Sequence, residues 1–307
     1  MSKNTSSLNS SNKNTYRYYI YGEIIISNIE LPLLETITLD ECEESNIQLN
    51  VSFGCIKKSS DTGVNISKSN NLYTITISDV VKYNVYENEN RIDCLAENFE
   101  TFFSTFFNIP FSIYFLLREE LLVHCCSILM QKKCICIAGE KGTGKSTLVS
   151  LLNDDECTIF GDDTLRVRKN LIAYRAHNLI KITDETANNL AIPYHISQYT
   201  NLTGKRYGIL PINNGGCSVN ALVELYLNES VVKLRKIDNA LNRNIVLRRN
   251  IVGVNYFDKN LLRKAHSVIL DPQIDCFVLD IPNNLAALIR EQANIKKELR
   301  DGICIKK

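Results

Sequence analysis

The stretch GEKGTGKS, from Gly139 to Ser146, carries the clearest chemistry in the chain. It meets the pattern G-x-x-x-x-G-K-[ST], with Gly142 as an additional glycine inside it. Backbone amides in such a loop must approach phosphate oxygens closely, and some positions need a positive φ that glycine adopts without penalty. Lys145 would neutralise β- and γ-phosphate charge, and Ser146 would offer a hydroxyl to magnesium. The helix starting there would point its positive dipole end at the anion. The expected nucleotide-binding set is Gly139, Glu140, Lys141, Gly142, Thr143, Gly144, Lys145, Ser146 and Thr147, and the expected ligands are ATP and Mg2+. The flanking residues suit the motif, because CICIA before it is strand-like and STLVSLL after it is helix-like.

A second constellation is Gly161-Asp162-Asp163, where an apolar run ends shortly after the loop's helix. A carboxylate there can hold magnesium together with Ser146, and a second can take a proton from an attacking hydroxyl. Two adjacent carboxylates can equally form a solvated turn; their place after a phosphate loop favours a site. His124 lies in LLVHCCSI among apolar residues, a setting in which a lone histidine is more often a satisfied core residue than a catalytic one.

These residues need a framework of strands and helices. YRYYIYGEIIIS, IQLNVSFGCI and LYTITISDVV are rich in Ile, Tyr, Val and Thr, so residues 16–95 read as a small β-rich N-terminal domain behind a disordered polar tail, 1–15. Residues 96–307 read as the phosphate-loop domain. It opens with helix over about 96–118, broken near Pro110. LLVHCCSILM and CICIAG then form a hairpin about Gln131-Lys132-Lys133, and ECTIFGDD returns as a strand after the loop's helix. TLRVRKNLIAY reads as a second hairpin and DETANNLA as a short helix. VNALVELYL and VVKLRKI form a strand pair, DCFVLDI a further strand, and NNLAALIREQANIKKELR one helix of four to five turns.

Composition narrows the partners. With 35 basic and 34 acidic residues the net charge is +1, which gives no electrostatic case for nucleic acid or an anionic membrane. The run FETFFSTFFNIPFSIYFLL (99–117) is interrupted by Glu100, Asn108 and Pro110, so a bilayer span is not expected. The 11 cysteines form no CxxC pair and read as small buried hydrophobes in a reducing, cytoplasmic setting; residues 1–15 lack the apolar stretch of a secretory signal.

LLVHCCSI, AGEKGTGKST and FGDDTLRV together resemble the catalytic domain of the HPr kinase/phosphorylase family, whose fold is akin to phosphoenolpyruvate carboxykinase. YRYYIYGEIIISNIELPLL, LIKITDETANNL and GKRYGILPI resemble the branch that phosphorylates precursors of lasso peptides and other ribosomally made peptides. The resemblance implies an α/β phosphate-loop fold, a mixed sheet with flanking helices, and transfer of the ATP γ-phosphoryl group to a hydroxyl. It implies Asp162 as catalytic base with His124 beside it, Lys145 and Ser146 on phosphates and magnesium, and Asp163 assisting the metal. Lys181, Lys205 and Arg206 would meet phosphate or a substrate carboxylate, although a solvated surface explains them equally well. Lys141 stands where kinases acting on HPr have serine, and their downstream Glu-Arg-Gly signature is missing, which points away from HPr as acceptor and from a reverse phosphorylase activity.

The acceptor expected is a serine of a ribosomally made precursor peptide or small protein. The alternatives are free serine or another small hydroxyl compound, and a non-catalytic nucleotide-binding regulator. A substrate groove built partly from the N-terminal domain would favour a peptide, and a closed pocket near Asp162 a small molecule. The sequence leaves the oligomeric state open, a homo-oligomer included.

Overall fold

A computed structural model describes residues 15–37, 46–56, 63–190, 192–201, 203–211, 215–228, 231–269 and 274–305. The expected polar tail lies outside these residues except for Thr15.

The first strands are β1 (Tyr16–Ile20), β2 (Glu23–Ser27), β3 (Asn46–Phe53), β4 (Val64–Ser69), β5 (Leu72–Ile77), β6 (Val81–Tyr86) and β7 (Arg91–Ala96). They pair with one another in the order β1-β2-β3-β7-β6-β5-β4. The alternation expected of a sheet with one wet face is plain in β6 and β7, where Val81, Tyr83, Val85, Ile92, Cys94 and Ala96 point inward. That face is covered by α1 (Phe99–Phe106) and α2 (Ile109–Leu116). Asn98 caps α1 by accepting from the Thr101 amide at 2.9 Å. Pro110 sits in the first turn of α2, where its missing N–H costs nothing. Each helix has eight residues and spans about 12 Å, well short of a bilayer. Among the described residues no helix is long and apolar enough to cross a membrane.

The chain continues through β8 (Leu121–Val123), β9 (Cys126–Met130), β10 (Lys133–Ala138), α3 (Lys145–Leu152), β11 (Cys157–Gly161), β12 (Leu165–Val167), β13 (Ile172–Arg175), β14 (Leu179–Ile182) and α4 (Asp184–Asn189). It ends through β15 (His195–Thr200), β16 (Arg206–Ile209), β17 (Cys217–Asn228), β18 (Lys233–Lys236), α5 (Ala240–Arg249), α6 (Lys259–Ile269), β19 (Asp275–Pro282), α7 (Leu285–Arg290) and α8 (Gln292–Leu299). A nine-stranded sheet runs β11-β9-β10-β17-β13-β12-β8, with β19 on the free length of β17 and β18 on β19. β17 is parallel to both β10 and β19. Strands β14-β16-β15 form a separate antiparallel sheet. The architecture is mixed α/β. One apolar cluster joins the N-terminal sheet, α1, α2 and one face of the large sheet, while another packs α3, α7 and α8 on the opposite face.

Three expectations about elements need correction. LLVHCCSILM is two strands, because β9 forms the hairpin with β10 whereas β8 pairs with β12 at the far edge. The chain between them is held by the segment leaving α5: the His124 amide donates to Asn250 O at 2.7 Å and Val123 bridges Ile251. β17 and β18 are not partners, because the apolar β19 lies between them and supplies the pairing edge for both. The C-terminal helix is broken at Glu291 (φ −91°, ψ 5°) into α7 and α8; Leu288, Ile295 and Leu299 all join the core, and Gln292 at the start of α8 donates from Nε2 to Leu151 O at the end of α3 at 2.6 Å.

The two large sheets are tied by a buried ion cluster. Arg166, on β12, donates from Nη1 to Glu23 Oε1 at 2.5 Å and to Tyr21 O at 2.8 Å, and from Nε to Glu120 Oε2 at 2.5 Å. Its guanidinium also lies over the Phe115 ring. Removing Arg166 leaves Glu23 and Glu120 with Arg168, at 3.2 and 3.5 Å, as a remaining cation, so Arg166→Leu should destabilise the protein by about 1.5–3 kcal/mol, the scale of a lost hydrogen bond to a charged group. The check is the denaturant midpoint of the variant against wild type; a shift worth under about 1 kcal/mol would contradict a structural role for the cluster.

Candidate functional site

The hairpin turn Gln131-Lys132 (φ 51° and 63°) sends β10 back beside β9, and β10 ends at Ala138 where the glycine-rich loop begins. Gly142 (φ 92°) and Gly144 (φ 81°) both lie in the left-handed region, and an added Cβ would meet nothing within 4 Å at either. Backbone conformation rather than crowding therefore selects glycine there. Gly144 caps α3, whose first residues are Lys145 and Ser146. The Lys145 ammonium curls back over the loop and donates to Gly139 O at 2.8 Å and Glu140 O at 3.0 Å. Thr143 donates to the same Glu140 carbonyl, at 2.9 Å.

β11 brings the two carboxylates to this loop by pairing antiparallel with β9, with a register irregularity between Ile159 and Gly161. Such irregularities re-aim the next side chains. Asp162 Oδ1 accepts from Ser146 Oγ at 2.9 Å and from Cys126 Sγ at 2.7 Å, and its Oδ2 accepts from the Lys181 amide at 2.8 Å. Asp162 is thus fixed by three elements, α3, β9 and β14. Burial and then the Asp162 charge push the Cys126 thiol well above its ordinary range, so it stays protonated and can donate.

Asp163 has φ 69° and turns a different way. Its Oδ2 lies 2.8 Å from Lys181 Nζ, and its Oδ1 lies 3.8 Å from His124 Nδ1. Burial alone would raise the Asp163 pKa, but Lys181 and His124 outweigh it and hold the carboxyl well below the usual carboxylate range. Burial lowers the His124 pKa against the opposing pull of Asp163, which favours the neutral ring near pH 7. The imidazole therefore faces Asp163, with the Asp162 charge also acting on it. The contacts of Val123 and His124 with Ile251 and Asn250, just after α5, hold the His124 backbone there.

These groups surround a cavity of about 600 Å³. His124, Lys141, Gly142, Gly144, Lys145, Ser146, Thr147, Asp162, Asp163, Lys181 and Lys205 line it. Gly139, Glu140 and Thr143 belong to the loop but are not among the described lining residues, and neither is Arg206, whose Nε is paired with Asp184 at 2.7 Å. Sequence reasoning missed Cys126 as a partner of Asp162. It also missed Ser104, Asn108, Asn201, Thr203 and Tyr207 on the cavity wall. No spacing signal marks them, because they come from α1, the junction of α1 with α2, the β15 to β16 connection and β16, and meet only in the folded chain. Among the described residues no group of three or more His, Cys, Asp or Glu side chains could hold a metal. The cysteines described are all free, and Cys94, Cys125, Cys126, Cys134, Cys136, Cys157 and Cys276 are buried.

No family model and no curated protein matches this chain. Among solved structures, the Hpr(Ser) kinase/phosphatase from Coxiella burnetii is similar at 13% identity and a TM-score of 0.30, covering 59% of this chain and 95% of that one. At that level the likeness bears no weight for function; the residues around the cavity do.

The Lys181–Asp163 pair has a measurable signature. A carboxyl with a depressed folded pKa stabilises the fold above its unfolded value of about 3.9, and that stability is lost as the pH falls through the folded pKa. Lys181→Met should therefore move the Asp163 pKa upward and make the protein more sensitive to mild acid. A carboxyl 13C NMR titration checks the shift; an unmoved Asp163 resonance profile would show that Lys181 is not its counter-charge.

Proposed function

We propose that this protein is an ATP-dependent phosphotransferase that requires magnesium and moves the γ-phosphoryl group to a hydroxyl acceptor. The observation that carries the reading is the hydrogen bond between Ser146 and Asp162: the loop hydroxyl suited to magnesium already meets a carboxylate held by two further elements. The open glycine loop, Lys145 over it and the N-terminus of α3 suit a triphosphate. Magnesium, held by Ser146 and Asp162, would supply charge neutralisation on the phosphates.

Asp162 and Asp163 suit different tasks. Asp162 is committed to Ser146 on the metal side. Asp163, facing His124 across the cavity, is placed to receive the acceptor's proton as the phosphoryl group departs, with Lys181 holding it in position. This exchanges the roles that family resemblance implies for the two aspartates. Positioning and charge neutralisation account for most of the catalysis, since a loose phosphoryl transition state needs little covalent help.

For the acceptor, the sequence pattern favours a serine of a ribosomally made precursor peptide or small protein. A specific observation favours the other reading, a small hydroxyl compound such as free serine. None of the described residues lining the cavity comes from β1 to β7, so the N-terminal sheet contributes no wall to it.

The test is transfer of label from γ-labelled ATP to free serine and to serine-containing peptides. Wild type should phosphorylate a hydroxyl, and Asp163→Asn should lower kcat by about 10²- to 10⁴-fold, the usual worth of a positioned base. Asp162→Asn should raise the magnesium concentration needed for half-maximal rate. Phosphorylation of no hydroxyl by wild type would replace the kinase reading with that of a nucleotide-binding regulator, and full activity of both aspartate variants would overturn the roles given to Asp162 and Asp163.

A further inference from the structure

α5 ends in Arg249, and from there the chain reaches two parts of the site at once. Glu224 stands on β17 in register with Ala138, the last residue of β10 before the glycine loop. It is a buried carboxylate, 4% exposed, and the Arg249 guanidinium is its ion-pair partner. The same guanidinium donates from Nη2 to the Tyr226 hydroxyl at 2.9 Å. The loop leans on this strand too, since a Cβ added at Gly139 would lie 3.4 Å from Leu225 O. Arg249 therefore ties the end of α5 to the strand beside the loop.

The next three residues hold the other side. Asn250 O accepts from the His124 amide at 2.7 Å, Ile251 bridges Val123, and the Val252 amide donates to Leu122 O at 2.9 Å. Val252 O in turn accepts from Ser112 Oγ of α2 at 2.6 Å. The turn out of α5 is fixed by its own hydrogen bonds: the buried Asn250 donates from Nδ2 to Val246 O at 2.8 Å, and the Ile251 amide donates to Arg248 O at 3.1 Å. Residues 249–252 thus form a strap, charged and anchored beside the phosphate loop at one end and carrying His124 along its middle. Burial lowers the Arg249 pKa and the Glu140 carboxylate opposes it, so the charge of the loop is felt at the same guanidinium. A buried ion pair gains little stability over apolar side chains of similar volume, so its place at this joint argues for orientation rather than for strength of the fold.

We propose that Arg249 is a positioning residue for phosphoryl transfer: its pair with Glu224 fixes the strap, and the strap sets where His124 stands over Asp163 relative to the phosphate loop. This rests on the kinase reading and adds to it the link that keeps the loop side and the acceptor side at their spacing. Arg249 acts through Asn250 and Ile251 on His124. The loop presents the γ-phosphoryl group and Asp163 receives the acceptor's proton, and an error of about 1 Å between such groups costs on the order of 10²-fold in rate. Nucleotide binding does not depend on the strap, because Lys145 is held over the loop by Gly139 O and Ser146 by Asp162.

The experiment compares the full chain with the double variant Glu224→Leu, Arg249→Met, in which apolar side chains replace both charges so that neither is left buried alone. Three quantities are read: AMP-PNP affinity with Mg2+ by calorimetry, kcat for transfer from γ-labelled ATP to the hydroxyl acceptor that wild type uses, and amide hydrogen exchange at His124 by NMR. The double variant should bind AMP-PNP within about threefold of wild type and lose about tenfold to a hundredfold in kcat. Its His124 amide should exchange about tenfold or more faster, while the amides of β5 and β6 exchange at the wild-type rate. Tyr226→Phe removes only the lesser hold on Arg249, at a half-exposed position, and should speed His124 exchange several-fold; it decides the matter if the double variant does not fold. An unchanged His124 amide, an unchanged kcat, or faster exchange spread evenly over the whole chain would overturn the proposal, the last by making the pair a matter of stability alone. Absence of transfer by wild type is a different result: it overturns the kinase reading on which the role in transfer rests, while the exchange data still show whether Arg249 holds His124.

Discussion

The hydrogen bond from Ser146 to Asp162 is the contact on which the rest of the site depends. It joins the first turn of α3 to the residue after β11, and it exists only because β9 lies between β10 and β11 and pairs antiparallel with both. A slip of one residue in β11 would turn Asp162 to the other face and bring its neighbours forward. The irregularity between Ile159 and Gly161 fixes that register, and Cys126 and the Lys181 amide then hold the carboxylate from two more directions. With Asp162 held in this way, Asp163 in its left-handed conformation has room to turn toward Lys181 and His124. Two consecutive carboxylates are thereby given different partners, Ser146, Cys126 and the Lys181 amide for Asp162 and the Lys181 ammonium and His124 for Asp163.

The N-terminal sheet supports this arrangement from behind. Tyr21, in the turn between β1 and β2, donates to Phe107 O at 2.6 Å and shares a 2.5 Å hydrogen bond with Thr164, the residue after Asp163. Arg166, two residues further on, is gripped by Glu23 and Glu120. The segment that carries the carboxylates is therefore clamped at both ends, by β9 and β14 before and by the N-terminal sheet after. The adjacent Gly22 is obligatory for the same reason, because an added Cβ would lie 2.4 Å from the Tyr174 ring. The sheet's contribution to the site is positional, consistent with its absence from the described cavity wall.

Much of this was legible in the residues because it is local. The glycine loop, its flanking strand and helix, the β12 to β13 hairpin and the proline between α1 and the body of α2 each follow from short-range patterns of φ preference and alternation. What was not legible depends on pairing between distant segments. The insertion of β19 between β17 and β18 and the separation of β8 from β9 both follow from which apolar edge is buried against which, a choice that no local window encodes. The same limit explains the site. Asp162, Asp163 and His124 were visible as residue types, but the pairing of His124 with Asp163 follows from the contact between β8 and the segment after α5, 126 to 128 residues along the chain (124 to 250, and 123 to 251). Cys126 reads correctly as buried, yet its thiol also serves as a donor, a role that depends on the register of β11.

The central claim is that Ser146 and Asp162 act together on a magnesium-bound triphosphate. Calorimetric titration of AMP-PNP into wild type and Asp162→Ala, each with and without Mg2+, tests it directly. The account predicts that magnesium tightens binding to wild type by about tenfold or more and that the gain largely disappears in Asp162→Ala, while binding without magnesium is similar in the two proteins. Equal affinity of wild type with and without magnesium, or an undiminished magnesium effect in Asp162→Ala, would contradict it.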